Sequence, residues 1–273
     1  VDSRLLLDTP SVQIHDVSCL GSLRDASAEE HARDVHLVFP YRGVFVRHLG
    51  HDDAVAEPNQ VLFFNAADGY RVSHPVPGGD ACLSVVVNDA LLLELARPEL
   101  LRDGGRPAFR EQRLRIDPRA QVLVALLRHS LRQGIAETLE GEGLALTLVR
   151  RALGERTTHA PRASAGRRRL VDRTKLVLAS DLKRRWTLAE VAAEVRASPV
   201  YLTQLFQQVE GVPLYRYQLR LRLARALELL GEYDDLTSLG LELGFSSHSH
   251  FSTAFRQAYG RSPSEFRQSA LRR

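Results

Sequence analysis

Gly244-Phe245-Ser246-Ser247-His248-Ser249-His250-Phe251-Ser252-Thr253-Ala254-Phe255-Arg256-Gln257-Ala258-Tyr259-Gly260 reads as a turn, a capped helix and a stop. Gly244 supplies the turn and Ser246 is the expected N-cap. Phe251, Ala254, Phe255 and Tyr259 recur at helical spacing and form one apolar face. Gly260 ends the helix, where a left-handed backbone suits glycine. Upstream, Asp235 opens a shorter helix with Leu236, Leu239, Gly240 and Leu243 facing inward. Two helices joined by so short a turn form a helix-turn-helix, spanning 235–263.

The same template occurs at 187–213. Thr187 and Glu190 have capping-box spacing, and Leu188, Val191, Ala192 and Val195 make one face. Ser198-Pro199 starts the second helix with an N-cap serine and proline at the first helical position. Its face is Leu202, Leu205, Phe206 and Val209, and Gly211 ends it. Ala192 and Gly240 fall where the two helices of each unit must cross closely. Between the units, 214–230 reads as one helix with Leu219, Leu223, Ala226, Leu227 and Leu230 inward. One such unit is compatible with a plain helical bundle; two units on a stiff spacer point to paired reading heads.

The charge distribution agrees. Residues 1–150 carry 16 basic and 21 acidic side chains, net −5, whereas 151–273 carry 21 and 12, net +9. A basic half behind an acidic one suggests a polyanionic partner, nucleic acid first and an anionic membrane second. At 273 residues the chain has room for two ordinary domains. Its 44% apolar and 26% charged content excludes a disordered or collagen-like chain. Two cysteines, Cys19 and Cys82, argue against a disulfide framework. No apolar run reaches the roughly 18 residues of a membrane span, and the first thirty residues lack a secretory pattern. The expected setting is the cytoplasm, at the nucleoid if that polyanion is DNA, with no membrane partner in that case.

The N-terminal half reads differently. Short runs rich in Val, Phe and Tyr at 12–19, 35–39, 43–49, 60–64, 70–74 and 81–87 are separated by turn residues, which suggests a small barrel or sandwich. Helices are expected at 89–96, from Asp117-Pro118 to 131, and at 142–153. The Leu-rich helices after the strands either cover the open face of the barrel or pair with a second copy of the chain, and pairing is the preferred expectation. Residues 159–169, His-Ala-Pro-Arg-Ala-Ser-Ala-Gly-Arg-Arg-Arg, have no periodicity and read as a linker. The expected division is a sensor and dimerisation domain at 1–158, a linker at 159–170 and a DNA-binding domain at 171–273.

Glu242 to Arg267, with 187–213 and the helix 219–230, resembles the AraC/XylS family of transcriptional regulators over roughly 172–268. Val35-His36-Leu37-Val38-Phe39-Pro40, 59–65 and 70–75 carry a weaker likeness to the cupin-type domain often attached to such modules. The resemblance implies an α+β chain of two domains. A cupin-like β-barrel with following helices would precede an all-α module of two helix-turn-helix units joined by a long helix. It implies that helices near 199–209 and 247–258 enter successive major grooves, on an asymmetric site of roughly 20 base pairs. By position, Val200, Thr203 and Gln204 would read bases in the first head, and His248, Ser249, Ser252 and Thr253 in the second. Arg216, Arg220, Arg222, Arg256 and Arg261 are the candidates for phosphate contact, which positions without specifying. Many members have Arg where this chain has Gln204 and Thr253, and Gly at the turn position held here by Arg196, where a left-handed conformation would cost about 1 kcal/mol.

In the N-terminal half, Tyr41, Arg42, Phe64, Tyr70 and His74 are candidates to rim a small-molecule effector pocket. His31, His36, His48, His51 and His74 are too scattered for metal-cupin spacing, so no metal and no cofactor are expected. Cys19 and Cys82 would form a redox pair only if adjacent. No nucleophile–base–orienter set stands out. The function expected is non-enzymatic transcription regulation, activation more than repression, by a homodimer that works with RNA polymerase. The competing readings are a cupin metalloenzyme with an appended DNA module, and a constitutive regulator whose barrel only dimerises.

Overall fold

A computed structural model describes residues 1–21, 25–50, 52–66, 68–154 and 163–270. Ten strands occupy the N-terminal half: β1 (Asp2–Asp8), β2 (Val12–Cys19), β3 (Glu30–His31), β4 (His36–Arg42), β5 (Phe45–Leu49), β6 (Asp52–Ala56), β7 (Gln60–Phe64), β8 (Gly69–Ser73), β9 (Asp80–Val87) and β10 (Arg113–Arg115). They pair antiparallel in two sheets, one ordered β1-β2-β9-β4-β7-β10 and one ordered β3-β8-β5-β6. Both sheets have free edges among the described residues, so neither closes. The expected cupin-like barrel is therefore corrected to two open, layered sheets followed by helices.

Alternation along the strands explains the layering. Leu37, Phe39, Val61 and Phe63 face a core shared with the helices that follow. Val38, Leu62 and Phe64 face the four-stranded sheet, where they meet Phe45, Ala54 and Ala56. Strand β7 is consequently buried along its whole length. Short apolar strands suit either a closed barrel or a sheet covered on both faces, and here helices supply the second cover.

Those helices are α1 (Asp89–Leu95), α2 (Pro118–Arg132) and α3 (Thr138–Leu153). Asp117 caps α2 by accepting from the Ala120 amide at 2.9 Å, with Pro118 at the first helical position. Ala120, Val124 and Leu127 enter the N-terminal core, as do Leu148, Val149 and Leu153 of α3. The opposite side of α2, through Val122, Ala125 and Leu126, packs against the C-terminal half. The surface of α2 expected to pair with a second copy is thus covered within the chain.

Among the described residues seven helices follow: α4 (Ala165–Ser180), α5 (Leu188–Glu194), α6 (Pro199–Glu210), α7 (Leu214–Leu229), α8 (Leu236–Glu242), α9 (His248–Tyr259) and α10 (Pro263–Ala270). Of the expected linker, 159–162 lie outside the described residues, and from Ala165 onward the chain is already helix α4. Its arginine run occupies the first turns of a helix whose Val171 and Leu178 enter the core of the first head.

Candidate nucleic-acid interface

The first head is built by local sequence. The Thr187 hydroxyl accepts from the Glu190 amide, and the Glu190 carboxylate accepts from the Thr187 amide at 2.7 Å, closing the capping box. Hydrogen bonds from Thr187, and then from Arg184, hold the Glu190 carboxyl down at about 2. Ser198 caps α6 through the Tyr201 amide at 3.2 Å, and Gly211 closes it at φ 66°. In the turn between α5 and α6, Arg196 has φ 56°, the one positive φ at a non-glycine among the described residues. The Ala197 amide donates to Ala192 O at 2.9 Å, as the Phe245 amide donates to Gly240 O at 3.0 Å after Gly244 in the second head. Arg196→Gly should therefore stabilise the protein by about 1 kcal/mol. Thermal unfolding of the two chains tests this, and an unchanged or lowered Tm would count against it.

In the second head, Asp235 accepts from the Thr237 and Ser238 amides at 3.0 and 2.9 Å. The N-cap of α9 is Ser247, accepting from the His250 amide at 3.2 Å; the expected cap, Ser246, instead pairs with His250 Nδ1. Gly240 lies where α8 and α9 cross, and a Cβ there would stand 3.1 Å from Phe251 Cβ. Phe251 and Phe255 are fully buried, stacked edge-on with each other and onward to Tyr259. Both heads thus bury one face of their second helix and leave the N-terminal part of the other in solvent.

The base-reading candidates fall on that outer surface. Val200 is 69% exposed, and Gln204, His248, Ser249 and Thr253 are exposed as well. Thr203 and Ser252 are half-buried, and the Thr203 hydroxyl donates to Pro199 O within its own helix. Among the phosphate candidates, Arg216, Arg256 and Arg261 are exposed, with Arg256 3.5 Å from Glu265 and Arg261 donating to the Ser269 hydroxyl. Arg220 is half-buried. Arg222 does not fit the phosphate role: it is 8% exposed and donates to Leu182 O, Arg184 O and Gly244 O at 2.7, 2.9 and 3.1 Å. Tyr201 and Tyr215, exposed by 44% and 64%, stand beside these positions, and apolar periodicity gave no reason to single them out.

The family described as a helix-turn-helix domain matches residues 191–269, a span that begins in α5 and ends in α10. This segment is similar to a helix-turn-helix domain. The chain is 37% identical over 92 residues to the regulatory protein PocR of Salmonella typhimurium, covering 33% of this chain and 29% of that protein. It is 43% identical over 68 residues to the HTH-type transcriptional activator RhaS of Escherichia fergusonii, 24% of each chain. It is 27% identical over 207 residues to the probable transcriptional regulator LumQ of Photobacterium leiognathi, 72% of this chain and 78% of that one. The chain spans about a third or less of the length of PocR and RhaS. The matches support the AraC/XylS likeness of the tandem module and do not extend it to a cupin barrel.

Around the helix-turn-helix domain, the effector candidates are not gathered in one place. The Tyr41 hydroxyl donates to Asp16 at 2.5 Å under the Arg128 guanidinium, which lies 4.2 Å from the ring centre. Tyr41 lines a cleft of about 330 Å³ between β4, α2 and α7, with Arg128, Arg132, Glu228 and Glu232 also on its walls. Arg42 reaches Glu228 at 3.7 Å. Phe64 and Tyr70 instead stack edge-on in the core between the sheets, beside Arg47, whose guanidinium burial pushes down to about 10. His74 pairs with Asp80 at 2.5 Å. Cys19 and Cys82 are both buried, free thiols. Among the described residues no three His, Cys, Asp or Glu side chains group as metal ligands would; His51 lies outside them.

A second junction is ionic. Arg113 on β10 makes a two-pronged bridge to Asp172 of α4 at 2.9 and 3.0 Å. Lys175, 1% exposed, stands 2.7 Å from Glu210 at the end of α6, which Arg115 also reaches at 3.2 Å. Burial opposes the Glu210 charge, but Lys175 and then Arg115 outweigh it and hold its carboxyl below the ordinary value. Glu57, wholly buried nearby, is pushed up by its burial.

Proposed function

We propose that the protein is a DNA-binding transcriptional regulator of the AraC/XylS type, and not an enzyme. Its helix-turn-helix domain reads double-stranded DNA through α6 and α9 in successive major grooves. The observation that carries this reading is the pair of matched heads, each with its second helix anchored on one face and its N-terminal residues in solvent. The N-terminal part of such a helix is the part that meets base edges. The basic excess of the C-terminal half supports a polyanionic partner. Residues 171–273 read DNA and 1–158 govern them, with a small-molecule effector in the cleft beside Tyr41 and RNA polymerase and a second copy of the chain as partners. Activation is favoured by the likeness to RhaS, described as an activator.

Selection of binding sites from random duplex DNA with the whole chain tests the reading. An asymmetric site of roughly 20 base pairs is expected, and binding without sequence preference at low salt would overturn it. Residue roles separate in the same assay. Gln204→Ala should lose about 1–3 kcal/mol of discrimination at one base pair, because its amide can pair with adenine. Arg216→Ala should weaken all sequences alike and lower the salt slope by about one. Uniform losses from both would refute the assignment.

A further inference from the structure

We infer that the N-terminal region sets the spacing of the two reading helices by gripping each at its C-terminal end, α6 through Arg115 and α9 through Gln121. The inference rests on the DNA-reading function above and adds the residues that position the heads.

Arg115 donates to the Val209 carbonyl and pairs with Glu210, the last residue of α6. Gln121 accepts from the Tyr259 hydroxyl at 3.1 Å, and Tyr259 is the last residue of α9. The two grips lie six positions apart in the chain, one at the end of β10 and one in the first turns of α2. Both are fixed to the same three-residue turn between β6 and β7. Arg115 is paired in register with Gln60, and the Ile116 amide donates to Asn59 O at 2.9 Å. The Gln121 amide group donates to Pro58 O at 2.9 Å and to Asn59 Oδ1 at 3.0 Å. The turn is itself rigid, since the buried Glu57 carboxylate accepts from both the backbone and side-chain amides of Asn59 at 2.8 Å.

The result is a short brace from the foot of one recognition helix to the foot of the other, separate from the connecting helix α7. Each grip acts where the helix is furthest from its N-terminal reading residues, so it orients the helix without covering Val200, Gln204, His248 or Ser249. Two linked heads gain affinity only when their geometry lets both engage at once. Arg115 and Gln121 are thus positioning residues for a fixed half-site spacing.

Spin labels at Gln207→Cys and Gln257→Cys, both exposed positions, in a chain carrying Cys19→Ala and Cys82→Ala, report the distance between α6 and α9 without DNA. The distribution should be narrow in the parent and broader in Tyr259→Phe, which removes only the hydroxyl. It should be broadest in Arg115→Gln with Tyr259→Phe, while Arg115→Lys, which keeps a charge beside Glu210, should be intermediate. On the selected site, inserting three base pairs between half-sites should cost the parent about tenfold in affinity and the double variant about threefold or less. An unchanged distance distribution, or unchanged discrimination between spacings, would overturn the inference. A parent with no sequence preference but the expected distance changes would instead strike the DNA-reading function and leave the brace standing.

Discussion

Arg222→Ala is expected to lose about 3–5 kcal/mol of stability, because it removes three charge-assisted hydrogen bonds made by one buried side chain. Leu182 O and Arg184 O belong to the loop before α5, and Gly244 O belongs to the turn of the second head. One planar guanidinium therefore ties the two heads together through α7. The approach is so close that a Cβ on Gly244 would stand 2.5 Å from Lys183 O and 2.9 Å from the Arg222 guanidinium. The urea midpoint should fall steeply, and Arg222→Lys should recover only part of the loss, since an ammonium cannot reach three diverging acceptors. The salt slope of DNA binding by the folded variant should be unchanged. Near-parental stability with a reduced salt slope would return Arg222 to a role on phosphate.

Lys175→Met should be comparably severe, at about 3–5 kcal/mol, or on the order of 10 °C in Tm. The substitution keeps the side-chain volume and removes the ammonium that stands 2.7 Å from Glu210. Its signature is the pH dependence. In the parent, the depressed Glu210 pKa contributes stability that is present above the ordinary carboxylate value of 4.5 and lost as pH falls through the folded value. In the variant only Arg115 and Arg113 are left to oppose the burial of this carboxyl, so the Glu210 pKa should rise. A raised carboxyl pKa costs stability as pH increases, so the deficit should be largest near pH 8 and shrink toward pH 5. A deficit independent of pH would mean that lost packing, not the lost counter-charge beside Glu210, causes the damage.

The two helix-turn-helix units were legible in the sequence because their signals are local. The Thr187–Glu190 box, Ser198-Pro199, Asp235, Gly211 and Gly260 each act within one helical turn, and each does so in the structure. The strained turn at Arg196 was visible only through the family likeness, whose members usually hold glycine there. Sheet closure was not, because short apolar strands look alike in a barrel and in a sheet covered on both faces. Strand β1 is mostly exposed, and β10 has three residues, so neither gave a periodic signal. The buried role of Arg222 was hidden for another reason. Helix α7 is covered on several sides, with Gln218, Leu221, Arg222, Leu223 and Ala224 all buried, so it has no single apolar stripe to mark what faces inward. The candidate effector residues failed to converge because strand neighbours in sequence, such as Phe63 and Phe64, point into different layers.

Helix α2 has a core on either side of it, and this bears on how the protein can be dissected. Cutting the chain near residue 160 would strip the second head of Val122, Ala125 and Leu126 and leave Leu227, Phe255 and their neighbours facing water. A C-terminal fragment prepared that way should clump or self-associate through the raw patch. Oligomers seen in such material would be a scar of the scissors, and only the uncut polypeptide reports the native stoichiometry.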